Sequence, residues 1–358
     1  MEVSHVWLVS LCGFALGVIA GAVTQRSRLC SFGAIEDAAV AGDTRRLRVF
    51  GLALGVAVLF TQALIVTGYL EPLNTTYVAS GLPWIGLIVG GLLFGLGMAL
   101  VGTCSFGSLV RLGSGDLRSL VVIIVFAATA LAVLRGVFAD VRLGIFEAFP
   151  LRFGAKTQSD LPSVLADAFH TNLRLALAIV IGLSLIALAF AHPKLRKSPR
   201  LLIAGIALGL CVGLGWVATA VLVDEFAAPQ RPQSLTFVAP VARMLYGALL
   251  SPSTLLEFGV WNVVGVVCGS WISALYLKEF RWEAFDDQHE MRRHLGGAAL
   301  MGIGGILAGG CTIGQGLTAG SLLALSWPLA VAGMIIGARI GIAVLFEGSF
   351  RGVVRRFF

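Results

Sequence analysis

Three cysteines sit in near-copies of one glycine-rich phrase: Cys30 in RSRLCSFG, Cys104 in VGTCSFG and Cys311 in AGGCTIG. Each lies at the end of a hydrophobic stretch. Small or hydroxyl-bearing neighbours accompany them, and Ser31, Gly102, Ser105, Gly310 and Thr312 join the cysteines as candidate substrate-binding residues. Glycine lets backbone approach a ligand closely. A helix restarting after Cys104 would present free N–H groups and a positive dipole end, which favours an anion. Ser105, and by analogy Ser31 and Thr312, are the expected N-caps of such restarts. One phrase alone would read as close packing, because buried free cysteine usually behaves as a small hydrophobe. Three copies point instead to a pathway lined with sulfur. Cys12, Cys211 and Cys268 lie in apolar spans without the phrase and are packing residues on this reading.

The last two phrases belong to a longer repeat. A shift of 207 positions carries Leu93, Gly95, Gly97, Leu100, Gly102, Cys104, Gly107, Gly113 and Ser114 onto Leu300, Gly302, Gly304, Leu307, Gly309, Cys311, Gly314, Gly320 and Ser321. Repeated, glycine-broken hydrophobic segments are a sequence pointer to a transporter's substrate site.

The elements that must position these residues are membrane helices. Of the 358 residues 58% are hydrophobic and 13% charged, against about 25% charged in soluble domains. Too few charges remain for a water-soluble surface, so the chain is an all-α polytopic membrane protein. Its 45 glycines suit closely packed helices. The net charge of +7 comes from Lys and Arg in short loops beside apolar spans, not from a nucleic-acid-binding face. Six cysteines without a CxxC argue against a disulfide scaffold or zinc site, and no metal, cofactor or catalytic constellation is expected. The start, MEVSHVW, has no basic n-region, so no cleaved leader is expected.

Nine spans are expected, at 6–24, 47–70, 83–103, 118–138, 172–191, 201–223, 256–277, 296–311 and 327–347, the eighth being short. Basic loops (Arg45, Arg46 and Arg48; HPKLRKSPR; Lys278 to Arg293; Arg351, Arg355 and Arg356) alternate with loops poor in Lys and Arg. This places the N-terminus outside and the C-terminus in the cytoplasm. Four spans, one connecting span and four more make an inverted repeat (4+1+4). The divisions are 1–138, then the outer loop and connecting helix 139–199, then 200–358 with the tail. Apolar stretches too short to cross, at 27–41, 104–113, 235–249 and 312–323, read as re-entrant helices or as helices lying on the interface. The segment RPQSLTFVAP, with Ser234 and Thr236, stands where a fourth phrase would fall and reads either as a hydroxyl-lined wall or as a Pro-flanked turn. Arg26, Arg28 and Arg111 beside the phrases either attract an anion or anchor the helices. No Walker A motif is present.

The stretches TQRSRLCSFGAIED (24–37), LFGLGMALVGTCSFGSLVRLGSG (93–115) and KEFRWEAFDDQHEMRRHLGGAALMGIGGILAGGCTIGQGL (278–317) resemble the YeeE/YedE family of bacterial membrane proteins, whose characterised function is thiosulfate uptake. The resemblance implies an hourglass of inverted repeats in the cytoplasmic (inner) membrane, with short helices meeting at a waist. There Cys30, Cys104 and Cys311 would pass thiosulfate along through S–H hydrogen bonds. It also implies a possible cytoplasmic partner, a TusA-like sulfur carrier. Two departures stand out: Thr103, where the family commonly has glycine, and the long loop 139–171. The chemistry is consistent, since a soft thiol suits a terminal sulfur better than a hard oxyanion. Weak sites in series let an ion leave again. Competing readings are a membrane thiol oxidoreductase, which would want a close dithiol, a transporter of another sulfur or selenium compound, and a membrane subunit for a sulfurtransferase.

Overall fold

A computed structural model describes residues 2–78, 81–152, 159–169, 173–221 and 231–347. The tail arginines Arg351, Arg355 and Arg356, and parts of the 139–171 and 224–254 connections, lie outside these residues. The described residues form fifteen α-helices and short 3₁₀ and π turns, with three isolated bridges in place of any sheet. In chain order the first eight are α1 (Glu2–Ser27), α2 (Ser31–Glu36), α3 (Arg45–Val66), α4 (Trp84–Val101), α5 (Ser105–Gly113), α6 (Leu117–Leu134), α7 (Ala139–Val141) and α8 (Leu161–Phe169). Then come α9 (Arg174–Phe190), α10 (Pro193–Arg196), α11 (Pro199–Ala220), α12 (Ala239–Leu249), α13 (Phe258–Tyr276), α14 (Gln288–Leu307) and α15 (Ser326–Glu347). A π-helical stretch, Gly314–Ala319, follows α14.

The chain is a multi-pass membrane protein. Seven apolar stretches have the length and hydropathy to cross a bilayer, and one of them runs through α4 into α5. Of the other two expected spans, α9 has 17 residues, and α14 opens on the charged sequence QHEMRRH. The expected short eighth span at 296–311 is corrected here. The helix begins eight residues earlier, at Gln288, and stops at Leu307. Its first two turns are polar and therefore silent in a hydropathy profile, although their residues are good helix formers.

Glycine sets how closely these helices pack. On α1 a Cβ at Gly17 would lie 2.3 Å from the Asn262 carbonyl oxygen of α13, and one at Gly265 would lie 2.3 Å from that of Phe14. The same contact joins α4 and α15: a Cβ at Gly95 would meet Met334 O at 2.1 Å, and one at Gly337 would meet Leu92 O at 2.2 Å. Small residues let backbones touch where lipid supplies no hydrophobic drive for association. Between α4 and α14 the contact is reciprocal. A Cβ at Gly97 would meet Gly297 O at 2.6 Å, and one at Gly304 would meet Gly90 O at 2.6 Å. Residues 207 apart exchange partners, as a local two-fold between antiparallel helices requires.

The connection after α6 is tied to the segment that follows the π-helical stretch. Leu161 N donates to Leu323 O at 2.9 Å, and Leu325 N to Ser159 O at 2.9 Å. Asp160, fully buried, accepts from Arg174 at 2.7 Å. Arg174 also reaches Gln62 Oε1 at 3.4 Å, and Gln62 Nε2 donates to Ser321 O at 3.1 Å. The charged connector before α14 is pinned by Arg118, which pairs with Asp116, Glu283 and Glu290.

Gly95→Leu should destabilise by about 3 kcal/mol or more, the upper end of overpacking costs, because the obstacle is backbone. Gly51→Ala, where a Cβ meets nothing within 4 Å, should be neutral or stabilising by up to about 1 kcal/mol. Thermal unfolding of the two variants in detergent, with the monodisperse fraction as a second readout, tests this pair.

Candidate functional site

The three cysteine phrases converge. Cys30 Sγ lies 3.6 Å from Thr103 Oγ1, which joins the first phrase to the second. Ser31 Oγ lies 2.9 Å from Thr312 Oγ1, which joins the first to the third. Both hydroxyls also face the Cys104 thiol. Cys104 and Cys311 are buried, and Cys30 is half-buried.

The local backbone explains the placement. Gly102, at φ +77°, ends α4 in the left-handed region, and Gly309, at φ +69°, does the same after α14. The chain then turns through a cysteine into the next short element. Two of the N-caps are cysteines, Cys30 and Cys104, not the neighbouring hydroxyls, while the π-helical stretch after α14 has Ile313 at that position. Cys104 precedes α5 and its Sγ accepts from Gly107 N at 3.3 Å. Cys311 Sγ accepts from Gly314 N at 3.3 Å. Cys30 is the N-cap of α2, without a side-chain cap bond. Ser31 and Ser105 are thus first helical residues, and Thr312 pairs with Ser31 instead of capping. The reason is register: the Gly-x-Cys turn brings sulfur, one residue earlier, to the free N–H groups. A sulfur held as acceptor keeps its own S–H available to donate. The Ser105 hydroxyl is buried and unpaired among the described residues.

Gly310, beside Cys311, borders a cavity of about 600 Å³ together with Gly309, Gln315, Tyr77, Thr236 and Arg243. Arg142 and Arg152 also line it; Arg142 pairs with Glu147 at 2.5 Å and Arg243 with Glu257 at 2.8 Å. At the other end of α3 a second cavity, of about 800 Å³, opens beside Cys30, with Arg26, Arg28, Arg45, Arg46 and Arg200 in its walls. Both mouths carry more basic than acidic groups, a field that draws anions. Arg28 is paired with Glu279 at 2.8 Å, and Arg26 lies over the Tyr276 ring at 5.8 Å. Arg111 donates to Gly102 O at 3.2 Å and so closes the end of α4.

The segment at 234–238 is a buried wall. Ser234 donates to Val212 O at 2.7 Å, Thr318 donates to Leu235 O at 2.6 Å, and Phe237 stacks on Phe106 of α5 at 4.7 Å. Thr236 hydrogen-bonds Tyr77, whose phenol burial pushes above its ordinary value, so that it stays a neutral donor. Cys211, outside the three phrases, is buried and faces Leu16 O at 3.9 Å.

Three residues at this site were not expected from sequence: Tyr77, Gln315 and Thr103 in its present role. Gln315 is buried, donates Nε2 to Ala308 O at 2.8 Å, and leaves Oε1 unpaired among the described residues. A lone amide inside an apolar stretch was its available signal. Tyr77 lies in an aperiodic loop and gave none.

The Sulphur transport family profile matches residues 26–340. The chain belongs to this family. As a member of the sulphur transport family it is 30% identical over 342 residues to the thiosulfate transporter TsuA of Escherichia coli (strain K12), covering 91% of this chain and 92% of that protein. It is 28% identical over 341 residues to the thiosulfate transporter TsuA of Spirochaeta thermophila, covering 93% and 96% of the two chains. The family is one of transporters, which sets the oxidoreductase reading aside.

Thr103→Gly should unmask Cys30. On a background with Cys104→Ser and Cys311→Ser, and with the packing cysteines changed to Ala, its maleimide reactivity should rise about threefold, the equivalent of a weak hydrogen bond. Equal rates with and without Thr103 would show that the 3.6 Å contact does not shield the thiol.

Proposed function

We propose that this protein imports thiosulfate across the cytoplasmic membrane, along a path between the two basic cavities past Cys311, Cys104 and Cys30. The observation that carries the reading is the convergence of the three cysteine phrases, with neighbours of Cys311 bordering one cavity and neighbours of Cys30 bordering the other. The names of the two relatives support the substrate. Arginines at the mouths attract sulfate and thiosulfate alike, so discrimination falls to the waist, where soft S–H donors meet a soft terminal sulfur. A fixed cation at the waist would hold a dianion too tightly; three weak donors in series allow passage. We further propose that 1–138 and 200–358 are inverted halves, joined by the outer loop and connecting helix 139–199, with the N-terminus outside and the C-terminus in the cytoplasm. The reciprocal glycine contact of α4 and α14 supports this arrangement.

Uptake of labelled thiosulfate, in a host without its own sulfate and thiosulfate importers, tests the assignment. Cys104→Ser keeps an N-cap and Cys311→Ser keeps an acceptor for Gly314 N, so both should leave stability within about 1 kcal/mol. Uptake should nevertheless fall at least about tenfold, because serine keeps a hydroxyl donor but lacks the polarisable sulfur that suits a terminal sulfur, and Cys30→Ala, which removes donor and sulfur together, should lose at least as much. Cys12→Ala, Cys211→Ala and Cys268→Ala should transport normally at matched expression. Excess sulfate should compete poorly; if it inhibits as well as unlabelled thiosulfate, the cysteines are packing residues on a general anion path.

Topology has its own check. Single cysteines replacing the exposed residues Leu73, Lys197 and Asp286 should label from outside, from the cytoplasm and from the cytoplasm respectively. Labelling of 73 and 197 from one side would overturn the inverted arrangement.

A further inference from the structure

A third cavity, of about 350 Å³, opens sideways between α3, α9 and α15. Its walls are apolar, with Leu47, Phe50, Leu54, Leu188, Val331 and Ile335 among them. Arg48, Ser31 and Thr312 are its polar side chains, apart from the indole of Trp327. The three helices are apolar and belong to a multi-pass membrane protein, so the medium at this opening is hydrocarbon. The space is more than twice the roughly 150 Å³ that holds a benzene.

Two further observations say what fills it. The inner end is the Ser31–Thr312 hydroxyl pair, the same pair that faces Cys104. An unfilled groove would leave that pair as a single layer between the thiols and the bilayer. At the other end Arg48, in the cavity wall, reaches the last turn of α9, and Arg196, outside the lining, bonds the same turn. Arg48 donates to Leu188 O at 2.5 Å, and Arg196 donates to Phe190 O. An apolar slot with a guanidinium group in its wall at one end matches a hydrocarbon tail ending in a phosphate.

We infer that this groove seats one acyl chain of an anionic phospholipid, with its phosphate at Arg48, and that the chain closes the side of the waist. The closing role rests on the transport path proposed above; the seat itself does not. Hydrocarbon packed against the hydroxyl pair excludes water and charge there, so an ion at the thiols has no sideways escape.

The test uses the full-length protein in phosphatidylcholine vesicles containing brominated phosphatidylglycerol, a quencher of tryptophan fluorescence. The contribution of Trp327 is the difference between wild type and Trp327→Phe. Its quenching should saturate at one lipid per chain and survive dilution into unbrominated phosphatidylcholine. Gly51→Leu fills the groove from α3, where a Cβ meets nothing within 4 Å. Arg48→Gln removes a phosphate partner. Each should weaken phosphatidylglycerol binding about tenfold. Native mass spectrometry of wild type and Gly51→Leu counts retained lipid without using Trp327. The inference is overturned if brominated phosphatidylcholine quenches Trp327 equally and dilutes away with the bulk, or if Gly51→Leu retains as much phosphatidylglycerol as wild type. Both readouts are lipid binding, so they are independent of whether thiosulfate is the transported ion.

Discussion

Backbone that stops being helical within a bilayer must find its hydrogen-bond partners inside the protein. The chain meets this demand after α4 and again after α14, and the solution determines what the cysteine site is made of. Sulfur accepts from a backbone N–H of the short element that follows, Gly107 N in one case and Gly314 N in the other. A long polar side chain turns back to the helix just ended: Arg111 to Gly102 O, Gln315 to Ala308 O. The thiols are therefore part of the backbone's own bonding, which fixes where they point. Loss of a cap costs about 0.5–2 kcal/mol, so alanine scanning alone would confuse structural with chemical roles. Serine separates them.

Much of this was legible in the sequence. The apolar spans announced themselves because hydrocarbon admits few charges. The breaks were marked by glycines that the structure holds in the left-handed region, Gly102 and Gly309. The approach of the Cys104 and Cys311 phrases was expected from the repeat they share, whereas the joining of Cys30 to them was implied only by the family resemblance. What was not legible depended on register and on contacts distant in sequence. Serine and threonine are the better N-caps in general, so Ser105, Ser31 and Thr312 outranked the cysteines on propensity, and a one-residue difference in the turn reversed the order. The start of α14 was hidden because its first turns are charged. Tyr77 reaches the site from a loop with no periodicity.

Thr103 shows how a single departure from a family pattern is accommodated. Its hydroxyl would lie 2.1 Å from a Cβ at Gly107, so the side chain occupies the space that this glycine leaves open. From there it reaches Cys30. A larger residue at 103 has a partner to touch, and a larger residue at 107 does not fit beside it.

The glycine contacts carry a mechanical consequence. α1 is locked to α13, and α4 to α15, by backbone touching backbone. Each lock joins a helix from before residue 139 to one from after residue 199. Helices bolted in this way cannot slide past each other without parting peptide groups that have no side chain to act as a bearing. The moving parts must be small: thiol and hydroxyl rotors, and the short turns between the fixed helices. On the path proposed above, passage of an ion is then closer to a ratchet of side chains inside a rigid frame than to a large helix movement.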